Sequence, residues 1–470
     1  MRRLITIVVS VSSLLVAACS TASSTPATGP ASSPDAATQI TPGTSPATDP
    51  GPGRAASFTP WWTYHRTTSR AGHATHAVGT PLKHAWGKRL GDAVYGEPLV
   101  VGSTLIAATE GDRVFGLNAR TGKVRWKTGL GTPQPLSGLP CGNIDPLGIT
   151  GTPAYDKSTG SVFAVAETVG GHHTLWALNA KTGKKRWHTS LDVLPSRNRS
   201  AEQERAAVLV AHGRVIVSFG GLSGDCDNYV GYVTSTSVTG SGRTFHYAVP
   251  TEREAGMWAT PGPVLGRNGH VYVASGNGAE LDGRWDKSDS VTELTARKLT
   301  RVSVFAPKTW RDDNIRDLDL GSMSPMPVPS LHRIVIAGKR GVVYLLHEHF
   351  NGVGSAISNL SGCHAFSGAA RVGRTVLMPC LIEGQIRALR VGRSSLHWTW
   401  SASVYGAPVI AGSRVYVSDR DSGDLVVLRR KDGSVVQRIA AGSHTHFPSV
   451  VVDGGHVFVP TLHGIQAFHD

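Results

Sequence analysis

The sequence is short of charge, of aromatic rings and of cysteine. Of its 470 residues, 17% are charged, 7% are aromatic and five are cysteine. So little charge does not suit long amphipathic helices, whose outer faces need it. No run of five or more Lys or Arg occurs and no nucleic-acid-binding motif is found, which excludes a nucleic acid as the expected partner. No C-x-x-C pair supplies a structural metal site, and no G-x-S-x-G marks a hydrolase nucleophile.

What the chain does have is glycine, at 55 positions, in a background that is 40% hydrophobic. Abundant glycine with little charge suits many short strands joined by tight turns, so the expected class is all-β. The length exceeds that of a usual single domain, but closed all-β folds can run long as one unit. The net charge of +14 is spread over expected turns, at Arg120, Lys123, Lys181, Lys184, Arg429 and Lys431. Its plain reading is surface solvation, with at most a weak attraction to anionic envelope polymers.

The first residues form a targeting segment. Met1-Arg2-Arg3 is a positive start, Leu4 to Leu15 an apolar core, and Val16-Ala17-Ala18-Cys19 a small-residue cleavage site. The apolar core is short for a membrane span. A cysteine at the cut resembles the bacterial lipobox, which implies a signal peptide over 1–18, lipidation of Cys19 and anchoring at the extracytoplasmic face of the cell membrane. Each buried acyl CH₂ contributes about 0.8 kcal/mol, so two or more chains hold a protein without a spanning helix. Residues 19–57 are mostly Ser, Thr, Ala, Pro and Gly, too poor in large apolar groups to offset ordering entropy, and read as a flexible tether.

Residues 58–470 carry internal repeats. Leu117 to Trp126 reads LNARTGKVRW and Leu178 to Trp187 reads LNAKTGKKRW. Leu389 to Trp398 keeps the Leu and Trp, and Leu428 to Gln437 keeps the Leu and Gly. Each is a strand, a turn whose Gly supplies positive φ, and a return strand, on which Trp126, Trp187 and Trp398 are expected to bury their rings against the adjoining blade. Ahead of these lie eight further hairpins: Tyr95 to Thr109, Gly148 to Ala166, Arg205 to Phe219, Met257 to Ser275, Ser322 to Gly338, Phe366 to Cys380, Tyr405 to Asp419 and Phe447 to Pro460. Together they predict an eight-bladed β-propeller of four-stranded antiparallel blades, or seven blades if the degenerate third or fifth unit is misread. The last unit lacks its outer strand, and Lys83-His84-Ala85-Trp86-Gly87 is expected to supply it, sealing the ring.

The repeated L-N-A-x-T-G-K-x-x-W resembles the pyrroloquinoline-quinone (PQQ) propeller repeat, shared by quinoprotein alcohol dehydrogenases and by cofactor-free assembly lipoproteins. CGNIDPLGITGTP, GMWATPGPV, VYVASGNG, KSDSV and DLDLG lean toward the quinoproteins. That resemblance implies PQQ and Ca²⁺, with Trp258 as the aromatic floor, Asn277 as a calcium ligand and Asp317 as the catalytic base. The sequence departs from it in four ways. Cys141 stands alone where a Cys-Cys pair is usual, Arg316 replaces the Trp before the base, and no C-x-x-C-H haem motif follows the propeller. The calcium Glu falls near Cys226, where Asp225 and Asp227 are the neighbouring carboxylates.

Four cysteines remain for the exported domain, so disulfides are expected, with three pairings open. Cys363 with Cys380, and Cys141 with Cys226, are favoured. His172-His173, His347/His349 and His444/His446 read as solvated loop residues before a metal site. The functional expectation is a non-enzymatic, monomeric binding or scaffold module for a protein or envelope component, with no cofactor. The alternative is a PQQ- and Ca²⁺-dependent alcohol dehydrogenase.

Overall fold

The computed structural model describes residues 57–74 and 76–470. Cys19 and the segments over 1–18 and 19–56 lie outside them. Among the described residues no helix is long and apolar enough to cross a membrane.

Eight antiparallel sheets, each with a four-stranded core, follow one another along the chain. Their inner strands are Leu99–Val101, Ala154–Asp156, Leu209–Ala211, Val264–Leu265, Met326–Val328, Ala370–Val372, Val409–Ala411 and Val451–Asp453, which define blades 1 to 8. All eight expected hairpins fall on the inner two strands of a blade, and the third and fifth units are genuine blades. Blade 8 takes its outer strand from the other end of the chain. Lys83–Arg89 pairs antiparallel with Gly464–His469, Lys83 facing His469, Trp86 facing Ala467 and Arg89 facing Gly464.

The repeat works through a tryptophan laid on the next blade's glycine. A Cβ on Gly122 would stand 2.5 Å from the Trp86 ring, one on Gly183 2.4 Å from Trp126, one on Gly240 2.6 Å from Trp187, and one on Gly433 2.5 Å from Trp400. All four glycines have positive φ, between 66° and 74°. Turn geometry and lack of room therefore demand the same residue. The Trp86 indole donates to Ala119 O at 3.2 Å and the Trp400 indole to Arg430 O at 3.1 Å, equivalent places in their turns. A bulge beside each of these tryptophans aims its ring sideways.

Blade 6 departs from this pattern. In blade 6 the docked ring is Trp400, opposite Ala388 as Trp126 is opposite Gly116, whereas Trp398 pairs with Leu389. In blade 6 the ladder runs two residues further toward its turn, to Val391 facing Leu396, which shifts the register away from the sequence spacing. Trp398 instead donates to Ser361 O at 3.0 Å on blade 5 and receives the Arg387 guanidinium 4.4 Å from its ring centre.

The apolar cores lie between blades, as in the set of Leu99, Ile106, Val114, Val162, Ala164 and Leu178 between blades 1 and 2. The centre is closed by residues 57–82. This segment crosses the lower ends of the inner strands: Thr59 N to Asp453 Oδ1 at 3.0 Å, Trp61 N to Val100 O at 3.1 Å, Tyr155 N to Trp62 O at 2.8 Å, Leu265 N to Thr68 O at 2.9 Å and Ile410 N to Gly72 O at 2.7 Å. Its buried latch is Glu97, which accepts from Trp61 Nε1 at 2.6 Å, His65 N at 2.8 Å and Ser449 Oγ at 2.5 Å. Burial lifts that carboxyl to about 7 despite these donors.

Trp86→Ala, at a ring only 9% exposed, is expected to lower unfolding stability by about 3–5 kcal/mol in urea titrations. Val435→Ala, 52% exposed on blade 7, should change it by less than about 0.5 kcal/mol.

Candidate functional site at the propeller mouth

The loops that lead into the inner strands meet at the end of the ring opposite the plug. Trp258 precedes the inner strand of blade 4, Phe366 that of blade 6 and Phe447 that of blade 8. Their rings form a triangle, with centres 6.2 Å apart for Trp258 and Phe366, 6.1 Å for Trp258 and Phe447, and 6.4 Å for Phe366 and Phe447. They line a cavity of about 470 Å³ together with Arg205, Asp225, Asp317, Asp319, Lys339 and Arg420. Below it, Arg205, Phe447 and Tyr64 enclose only about 20 Å³. The mouth is thus a dead end, since Tyr64 belongs to the plug.

Trp258, Asn277 and Asp317, far apart in sequence, converge here. The helix Trp310–Arg316 ends at Asp317, whose φ of 53° is left-handed. This turn points its carboxylate at Lys339, with Oδ1 2.6 Å from Nζ, while Asp319 Oδ2 lies 2.7 Å from the same nitrogen. The Asn277 backbone N–H donates to Asp319 Oδ1 at 2.7 Å, and its amide nitrogen faces Asp317 Oδ1 at 3.3 Å. Lys339 Nζ also lies 5.9 Å from the centre of the Trp258 ring. Against the burial that opposes its charge, Asp319 and Asp317 hold the ammonium well above the usual lysine range. Asp225 closes the group. Burial raises its carboxyl, while Tyr229 donates to it at 2.5 Å.

Lys339 was invisible to sequence reasoning, because one lysine in a strand-connecting turn carries no pattern. It bears directly on the chemistry of the site. An aromatic floor able to take a flat ring is in place, but an ammonium is paired with Asp317 and Asp319, the two carboxylates against which Asn277, the expected calcium ligand, lies. Among the described residues no group of three or more His, Cys, Asp or Glu is arranged to hold a metal. Calcium does not fit these residues as they stand.

Both favoured disulfides are present. Cys141–Cys226, with Cα atoms 6.2 Å apart, ties the loop after blade 1 to the blade 3 loop that lines the cavity through Leu222 to Asp225. Cys363–Cys380, at 4.9 Å, staples blade 6. Of the expected histidine pairs, His446 lines the mouth, and the pKa of its ring is lowered by burial and by Arg205 and Arg420.

Fold, repeat and mouth together define an eight-bladed propeller built of PQQ-type repeats. Residues 76–303 match the family described as outer membrane protein assembly factor BamB. Among solved structures the chain is similar to a quinohemoprotein alcohol dehydrogenase from Pseudomonas putida HK5, with a TM-score of 0.67 at 16% identity over 87% of this chain and 80% of that one. It is similar to BamB from Moraxella catarrhalis, at 0.58 and 17% over 83% and 100%. It is also similar to a europium-containing methanol dehydrogenase, at 0.66 and 14% over 87% and 89%. At such identities the likeness is one of fold. No curated protein matches the sequence.

Lys339→Met would leave Asp317 and Asp319 facing each other without a counter-charge. Unfolding stability should fall by about 3 kcal/mol, and Asp319→Asn added to that variant should restore part of it, as a double-mutant cycle in urea would measure.

Proposed function

We propose that the protein is an extracytoplasmic lipoprotein, anchored through Cys19, whose propeller is a monomeric, non-enzymatic binding module for a protein or other envelope component. The observation that carries this reading is the mouth itself: an open aromatic triangle flanked by Arg205 and Arg420, with its central carboxylates already neutralised by Lys339. Partly desolvated aromatic and arginine side chains in a concavity are the chemistry of binding hot spots. Asp317 Oδ1, by contrast, is already engaged by the Lys339 ammonium at 2.6 Å rather than free to face a substrate hydroxyl. The similarity to BamB supports a partner in the envelope. Phe58 packs on Gly454, in the turn at the plugged end of blade 8. A lipid upstream of it would leave the mouth free.

A photo-cross-linking residue at Leu381, on the cavity wall, should give one discrete envelope adduct in cells. Trp258→Ala should remove that adduct while leaving the melting temperature within about 2 °C of wild type. Adducts that survive Trp258→Ala would move recognition away from the mouth. Cys19→Ser should release the protein from the membrane fraction, and retention would refute the lipid anchor.

The convergence of Trp258, Asn277 and Asp317 favours a second reading, a PQQ- and Ca²⁺-dependent alcohol dehydrogenase. It requires Lys339 to withdraw from the carboxylates. Adding PQQ with Ca²⁺ to the purified protein discriminates: a rise of several degrees in melting temperature with alcohol-dependent dye reduction would establish the enzyme, and absence of both would leave the binding module.

A further inference from the structure

The chamber of about 20 Å³ between the mouth and the plug has a wall unlike any other in the protein. Space of that size takes one water molecule or an atom little larger. Arg205 and Phe447 line both the chamber and the mouth, so whatever fills it enters from the mouth side. The rest of the wall is rich in hydroxyl groups. Tyr64 comes from the plug, Thr150 and Thr152 from the loop into blade 2, Thr260 from the loop into blade 4, and Thr445 and Ser449 from the loop into blade 8. Among the described residues no carboxylate lines the chamber, and Arg205 is its one charged group.

Donors meet there without acceptors. Tyr64, 2% exposed and stacked on His65 with ring centres 4.2 Å apart, has no hydrogen-bond partner for its hydroxyl. Thr152 Oγ1 accepts from Glu97 N at 2.7 Å, which leaves its own proton uncommitted. The half-buried Arg205 guanidinium makes one hydrogen bond among the described residues, to the neutral Gln203 Oε1 at 3.0 Å. Thr150 and Ser449 give their protons to carboxyl groups behind the wall, Glu110 at 3.1 Å and Glu97 at 2.5 Å. Burial moves those two groups toward their neutral forms, to about 8 and about 7, so in mildly acidic solution they do little to offset the arginine.

A buried donor without an acceptor is disfavoured, and a cation shut away from water without a counter-charge is more so. Water answers neither need in full, since it must place its own protons and brings no charge. A monatomic anion accepts from every side, and hydrogen bonds to a charged acceptor are the stronger kind. Phosphate and sulfate are too large for the chamber.

We propose that the chamber is a site for one monatomic anion, chloride being the abundant one, held by the Tyr64 and Thr152 hydroxyls and the Arg205 guanidinium. The ion ties the plug to the mouth. Tyr64 belongs to the segment latched by Glu97, and Arg205 stands 5.9 Å from the centre of the Phe447 ring in the aromatic triangle. An occupied chamber thus fixes the floor of the mouth, whichever ligand the mouth takes above it.

The test melts the full chain at about pH 6, where Glu97 and Glu110 are chiefly protonated. Chloride is exchanged at constant ionic strength for isethionate, an anion too bulky to enter. About a hundredfold rise in chloride should lift the wild-type melting temperature by about 2 °C or more, with bromide acting as chloride does. Tyr64→Phe and Arg205→Gln each remove a donor, and each should lose at least half of that gain. Crystals grown in bromide should show an anomalous peak within hydrogen-bond distance of Tyr64 Oη and the Arg205 guanidinium. Equal melting of the wild type in chloride and isethionate overturns the proposal, as does a gain that both variants keep in full. A bromide peak without a melting response marks an adventitious ion only, and overturns it too. If neither variant folds, the wild-type crystals decide: a chamber with no anomalous peak holds water, and the anion site is refuted.

Discussion

Everything at the mouth depends on the pairing of Lys83–Arg89 with Gly464–His469. A ring of blades is a set of sheets whose faces are each covered by a neighbour, and one open junction exposes two apolar faces at once. The pairing also sets where the loops meet. Trp258, Phe366 and Phe447 come from blades 4, 6 and 8, and their triangle exists only because blade 8 is held against blade 1. The Trp86 ring on Gly122 makes that junction specific, for it repeats across the seam the contact that Trp126 and Trp187 make within the chain.

The fold was legible because the repeat is periodic and its physics is local. L-N-A-x-T-G-K-x-x-W names a turn, the residue that lets it turn, and the ring that covers it, so blade count and closure could be read before any coordinate. Trp398 is not the ring docked on blade 7, because spacing in sequence and register in a sheet differ when a ladder runs further into its turn. The three mouth residues carried by resemblance do come together. Lys339, Phe366 and Phe447 gave no signal, since one side chain per loop is a pattern only in three dimensions. The plug over 57–74 was missed for a similar reason: it has no repeat and draws its partners from seven blades. Glu204, only 3% exposed, was unreadable because nothing in the sequence distinguishes it from a solvated glutamate.

The mouth gathers an aromatic floor, an amide and two carboxylates on the loops of a scaffold that hosts unlike functions. At its centre is one ammonium, Lys339, placed 2.6 Å from Asp317 and 2.7 Å from Asp319. The ion pairs engage these carboxylates, while the three rings, Arg205 and Arg420 line the cavity.

The amino-terminal stretch is both stopper and final stave of the barrel-like ring, and this has a consequence for how the chain comes to be folded. Thr59 bonds Asp453 across 394 residues of sequence, and Lys83–Arg89 waits for a strand made almost last. During synthesis Lys83–Arg89 must therefore stay unpaired until Gly464–His469 has followed it. Ends so distant meet slowly, so the junction of blade 8 with blade 1 is the window in which a half-built ring is most open to proteases and to its own copies.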